Sequence, residues 1–84
     1  MELKDTIEMM VSVDYKERFK AEYLQLKIRM TRLSNMLKKY KAGTLTFKPS
    51  CSYDLLNGQL KSMEMYAKYL EERAEIENIE LREK

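Results

Sequence analysis

The chain has no histidine and no tryptophan, and only one cysteine, one proline and two glycines. Each shortage removes a class of chemistry. Without His, the commonest general base and half of most nucleophile–base pairs are missing. The two glycines, Gly43 and Gly58, stand too far apart to form a glycine-rich phosphate loop. Cys51 is alone, so no internal disulfide can form, and one Cys without His does not make a zinc site of the usual ligand spacing. No apolar run approaches the ~20 residues that cross a bilayer. The start, Met1-Glu2-Leu3-Lys4-Asp5, lacks the charged-then-apolar pattern of a secretion signal. Together these absences predict a protein that is no enzyme, carries no metal or cofactor, does not enter a membrane and works in a reducing cytoplasm. Few Gly and Pro in 84 residues also mean few chain breaks, so helix should dominate.

What is present is periodic. Phe19, Tyr23, Leu26, Met30, Leu33, Leu37 and Tyr40 follow one another in alternating steps of four and three. That spacing keeps one seam of a helix turned toward a partner. It predicts a long first helix over Tyr15–Tyr40, opened by Asp14 as cap with Glu17 completing a box-like pair, and closed at Gly43. Leu56, Leu60, Met63, Ala67, Leu70 and Ala74 repeat the pattern in a second helix over Tyr53–Asn78, capped by Ser50 or Ser52. Between them Thr44–Lys48 reads as extended, and Pro49 blocks continuation of the first helix. Two helices of matched length and period joined by a short loop predict an all-α, antiparallel two-helix hairpin.

The hairpin is expected to span residues 14–79, with residues 1–13 as an N-terminal segment and 80–84 as a tail. In the first segment, Ile7, Met10 and Val11 fit a short helix starting near Asp5 or Thr6, although Met10–Val13 could equally run extended. Ala21, Leu24 and Ile28 form a second apolar stripe on the back of the first helix. A lone hairpin has no use for it, so it calls for the N-terminal segment or another subunit, and it marks a candidate oligomer interface within a larger helical bundle. Gly58 near the start of the second helix either admits another backbone or is simply tolerated. Ile79 and Leu81 dock on the hairpin or fray.

Net charge is only +2, but it is unevenly placed. Tyr15–Lys41 holds nine basic and two acidic residues, whereas 1–14 and 53–84 each sum to −3. The basic rod either matches the acidic remainder internally or offers a surface to an anionic partner. Aromatics beside cations supply a stacking face and a charge for phosphate, as at Tyr15-Lys16 and Arg18-Phe19, and again at Tyr66, Tyr69 and Arg73. The same tyrosines would serve equally well in a core or interface. No recognised DNA- or RNA-binding motif is present. Binding of nucleic acid through the basic first helix, and a plain protein-interaction module without a nucleotide ligand, therefore stay open beside a small anionic ligand.

Three stretches carry a family resemblance: the run from Tyr15 to Lys27, the loop Ala42-Gly43-Thr44-Leu45 with Phe47 and Cys51, and the closing Tyr69-Leu70-Glu71-Glu72-Arg73-Ala74-Glu75-Ile76-Glu77. Over about residues 14–79 the chain resembles the helical-hairpin domain of phage anti-CBASS and anti-Thoeris sponge proteins, including small members from Firmicutes and crAss-like phages. The resemblance implies a non-enzymatic phage protein that assembles with itself, typically into hexamers. Such a protein sequesters cyclic nucleotide immune signals between protomers in the cytoplasm of the infected bacterial host. Its expected ligands are cyclic di- and trinucleotides or, in the Thoeris-directed branch, cyclic ADP-ribose isomers. Members use a Tyr near the first long helix, a Lys within it and an Arg late in the second, for which Tyr15, Lys27 and Arg73 are the nearest matches. Together with Lys16 and Tyr69, these form the expected ligand-binding set.

Overall fold

The computed structural model describes residues 2–81. In order they form a 3-10 turn, Leu3–Thr6, a one-turn helix α1, Ile7–Met10, and two long helices, α2, Tyr15–Ala42, and α3, Tyr53–Glu77. No strand occurs among the described residues. The 28 residues of α2 give a rod of ~42 Å, which sets the long dimension of the molecule at 43 Å.

The ends of both rods follow from single residues. The Asp14 carboxylate accepts a hydrogen bond from the Lys16 backbone N–H at 2.9 Å, opening α2. The expected return bond from Glu17 is absent. The Asp14 backbone N–H donates instead to the Ser12 hydroxyl, and the Arg18 guanidinium to the Ser12 carbonyl, so the N-terminal segment completes the cap. At the far end Gly43 takes φ +74°, open to a residue without a Cβ. The Thr44 N–H then bonds back to Lys39 O at 2.9 Å. Ser52 caps α3 through Leu55 N–H. Asn78, whose short amide side chain tolerates the left-handed region, ends it at φ 57°. That turn sends the Ile79 N–H to Ala74 O and the Ile79 side chain into the core, the capping bond and apolar contact of a Schellman turn.

α2 and α3 pack along the expected seam. Phe19, Leu26, Ala67, Leu70, Ala74 and Ile79 form the buried cluster, with Tyr23, Met30, Met63 and Leu81 against it. Leu37 and Leu60 are buried nearer the loop. The tail therefore docks as far as Leu81, while residues 82–84 lie outside the described residues.

Of the two partners expected for the stripe Ala21-Leu24-Ile28, the N-terminal segment or another subunit, the N-terminal segment covers it within the single chain. Ala21 is 0% and Leu24 7% exposed, and Ile28 is half-buried. The segment does not dock through the apolar residues that fit its helix. Ile7 and Val11 turn outward, Met10 is partly exposed with its sulfur against the Gln25 amide, and the residue wholly enclosed is Thr6. Its hydroxyl donates to Leu3 O at 2.7 Å and accepts from the Gln25 side-chain amide at 2.9 Å, which makes burial of a polar residue tolerable. Arg32 pairs with Glu2 at 2.8 Å and anchors the start of the segment further along α2. In the loop between the long helices a bend at Thr46 and Phe47 interrupts the extended run expected over Thr44–Lys48.

Candidate functional site

The sequence places Tyr15 and Arg73 far apart, and the antiparallel register brings them together. The Arg73 guanidinium donates to the Tyr15 hydroxyl at 2.8 Å and lies 4.9 Å from the centre of the Phe19 ring. The Tyr15 and Phe19 rings meet at 6.1 Å with a tilt of 58°. A cation over an aromatic face, held by a phenol, is a positioned guanidinium with reduced rotamer freedom. Its other neighbour is Glu77, one turn further along α3, with Arg73 Nε 3.5 Å from the carboxylate. This cluster stays open to water: Tyr15 and Arg73 are both exposed, while Phe19 forms the floor.

The other candidates do not join it. Lys16 is exposed beside Tyr15, with its backbone committed to the helix cap. Lys27 lies across the seam, its ammonium 6.0 Å from the Tyr23 ring, in a cleft of about 250 Å³ with Ser34, Lys38 and Glu64. This cleft shares Ser34, Lys38 and Leu60 with a second of about 390 Å³ that adds Lys41, Tyr53 and Asn57. Lys38 and Lys41 thus line one flank with Lys27. The heptad continuation through 27, 34 and 41 was the signal for it. Tyr69 is exposed on the outer face of α3 and belongs to neither cluster. Because Lys27 and Arg73 occupy opposite flanks of a hairpin whose helices are each ~10–12 Å across, one small ligand does not reach both within one copy.

Electrostatics across the seam are carried by tyrosines. The Tyr23 hydroxyl donates to Glu71 at 2.5 Å, and the Tyr66 hydroxyl donates to Glu22 on the other flank. Burial, then the hydrogen bond and the negative charge of Glu71, push the Tyr23 phenol up to about 12. Among the described residues no Lys or Arg of α2 forms an ion pair with an acid of α3; Arg32 pairs with Glu2, Lys61 with Glu64 and Arg73 with Glu77. The cations of the basic rod are therefore not matched by the acidic second helix.

Among the described residues no three His, Cys, Asp or Glu side chains are grouped to hold a metal ion, and no helix is long and apolar enough to cross a membrane. Fold and surface together define a small all-α hairpin protein whose usable groups are aromatic and cationic. The class has a family: the Sequestin model matches residues 13–76, and the chain belongs to the Sequestin family. The match takes in both long helices and their loop, and leaves the 3-10 turn and α1 outside it. No curated protein and no solved structure matches the chain.

Proposed function

We propose that this chain is a non-catalytic phage sponge. In an infected bacterium it binds cyclic di- or trinucleotide immune signals of the CBASS type, holds them between copies of itself and withdraws them without cleaving them. The observation that carries the reading is the charge of α2: among the described residues none of its cations forms an ion pair with a carboxylate of α3, and Lys27, Lys38 and Lys41 line one flank where they outnumber the single Glu64 and can take an anion from outside. The family name supports sequestration as the mode of action. Arg73 on its Phe19 face, with Tyr15 beside it, is the group best prepared for a phosphate next to a base. Such a phosphate displaces Glu77 from Arg73. Lys16 adds positive charge at the same end. Lys27 serves the ligand from the opposite flank, hence from another copy in the assembly, for which the resemblance implies a hexamer.

Native mass spectrometry of the full chain, alone and with a panel of cyclic di- and trinucleotides and cyclic ADP-ribose isomers, tests this. The reading expects a discrete oligomer that gains a fixed number of one ligand, unchanged in covalent mass after incubation. It expects Arg73→Ala or Lys27→Ala to lose the ligand, by tenfold or more in Kd, while assembly persists. An oligomer that takes up no ligand leaves a protein-interaction module. Binding instead to linear oligonucleotides, falling steeply with salt, would assign the basic helix to nucleic acid.

A further inference from the structure

The N-terminal segment runs antiparallel along the back of α2, with Ser12 at Arg18, Thr6 at Gln25 and Glu2 at Arg32. The same face continues beyond it, since Arg32, Asn35 and Lys39 follow Ala21, Leu24 and Ile28 in steps of three and four. There a cleft of about 530 Å³ opens between Arg32, Asn35, Met36 and Lys39 of α2 and Leu45 and Phe47 of the loop. A second cleft of about 470 Å³ shares Leu45 and Phe47 and adds Tyr40, Lys48 and Pro49, so the two meet at the Phe47 side chain. That ring is 57% exposed, whereas Tyr40 is engaged edge to face with Tyr53 at 5.7 Å. Residues 23–53 hold seven basic side chains and no acid, so a carboxylate arriving here meets only attraction from this stretch.

We infer that this cleft docks an acidic peptide in extended form, with carboxylates at its positions i and i+4 and an apolar side chain at i+2. The N-terminal segment supplies the pattern: residues 1–14 sum to −3, and they lay the Glu2 carboxylate on Arg32 at 2.8 Å. In an extended chain the side chains at i, i+2 and i+4 point to one side, the outer two ~13 Å apart. Arg32 and Lys39 stand seven residues apart on α2, ~10 Å along the axis, and their long side chains span the difference. The middle side chain then meets the Phe47 ring, with the half-buried Met36 and Leu45 beneath it. Asn35 stands between the two cations, and its amide offers the peptide backbone both a donor and an acceptor. Arg32 keeps donors beyond those Glu2 uses, its side chain being 54% exposed, so the incoming carboxylate shares the guanidinium with Glu2 and is repelled by it. One free ring between cations suits this alternation of acid and apolar better than it suits a nucleic-acid strand, whose successive bases each need a face. None of Tyr15, Lys16, Lys27, Tyr69 and Arg73 lines the cleft, so the inference stands apart from the cyclic nucleotide reading.

Nuclear magnetic resonance titration of the isotope-labelled full chain with synthetic seven-residue peptides tests it. The probes carry Glu at their second and sixth positions, Leu or Phe at the fourth and Thr elsewhere, with blocked ends; the controls carry Gln for Glu. The acidic peptides should shift the signals of Arg32, Asn35, Lys39 and Phe47, and the controls should bind at least tenfold more weakly. Lys39→Glu and Phe47→Ala, both at exposed positions that the fold does not need, should each weaken binding by tenfold or more. Lys61→Glu on α3 changes the net charge by as much as Lys39→Glu and should change binding less than twofold. Glu2→Gln removes the rival carboxylate and should tighten binding several-fold. Shifts centred on the Lys27–Lys41 flank or on the Tyr15–Arg73 cluster would overturn the docking, as would no shift with any acidic peptide at millimolar concentration. So would equal losses in Lys39→Glu and Lys61→Glu, or a Glu2→Gln chain that binds no tighter. A linear oligonucleotide that binds these same residues more tightly than the peptides would overturn it in favour of nucleic acid. Cyclic nucleotide binding in the mass spectra, present or absent, moves none of these outcomes, so the two readings fail separately.

Discussion

The two long helices each carry apolar residues on the side turned away from the other, and the chain treats the two sides differently. On α2 the stripe Ala21-Leu24-Ile28 spans only two turns, ~10 Å of helix, and the 3-10 turn with α1 is long enough to cover it. On α3 the outer apolar positions run from Leu55 to Ile76, ~32 Å of helix, and no free segment among the described residues is long enough to cover that. Apolar periodicity thus reports that a face needs covering, while the length of the stripe decides what can cover it. A short stripe is closed in cis; a long one needs an element as long as a helix.

The sharpest way to break this comparison is to place a carboxylate on each side. Leu24→Asp puts a charge into a closed site without a cationic partner at hand. It should cost about 3–5 kcal/mol, a large share of the ~5–15 kcal/mol available to a small domain. Met65→Asp on α3 should cost the single chain no more than ~0.5 kcal/mol. Urea unfolding at a concentration low enough to suppress association reads both. Equal losses would mean that the outer face of α3 is closed in the single chain, and the distinction would fall.

A smaller effect sharpens the same contrast by asking what latches the cover. Thr6 is fully enclosed and shares its hydroxyl with Gln25. Thr6→Ala and Gln25→Ala should each cost about 1 kcal/mol, the usual worth of a hydrogen bond whose loss leaves a partner unsatisfied. The double variant should cost less than the sum, with a coupling of roughly 1 kcal/mol in a double-mutant cycle. Amide exchange of residues 3–10 should accelerate in step, while that of α3 should hold. Additive losses would mean that the hydroxyl–amide contact does not carry the docking.

The seams and most helix ends were legible because they depend on local rules: heptad spacing, Asp14 and Ser52 as caps, Gly43 at positive φ. The docking face of the N-terminal segment was not. Its enclosed residue is polar, and Thr6 becomes a core residue only because Gln25, nineteen positions away, supplies its bond. The outer stripe of α3 was hidden for the converse reason, since Gly58, Ser62 and Glu72 interrupt its apolar pattern. At the candidate site the residue types were readable, but their grouping was not. Tyr15 and Arg73 meet because the register of the hairpin brings the start of α2 to the end of α3. The same register carries Lys27 to the other flank.

Between the two backs lies the seam itself, and its weakest effect is a pH dependence. The Tyr23 phenol is pushed up to about 12 by burial and by Glu71, above the ~10 it has in an unfolded chain. A raised value means that the folded state holds its proton longer than the unfolded state does. The contribution is therefore complete below about pH 10 and is lost as pH rises toward about 12. Deprotonation sets a phenolate against the Glu71 carboxylate at hydrogen-bond distance, so the two helices should separate there first. Ultraviolet titration at the phenolate band should show a late-titrating component that Tyr23→Phe removes. Glu71→Gln should bring it down only part of the way, because burial, the larger cause, remains. A Glu71→Gln chain titrating at the ordinary tyrosine value would show that the carboxylate does all the work, and that the seam at Tyr23 is wetter than the packing of Phe19 and Leu70 around it implies.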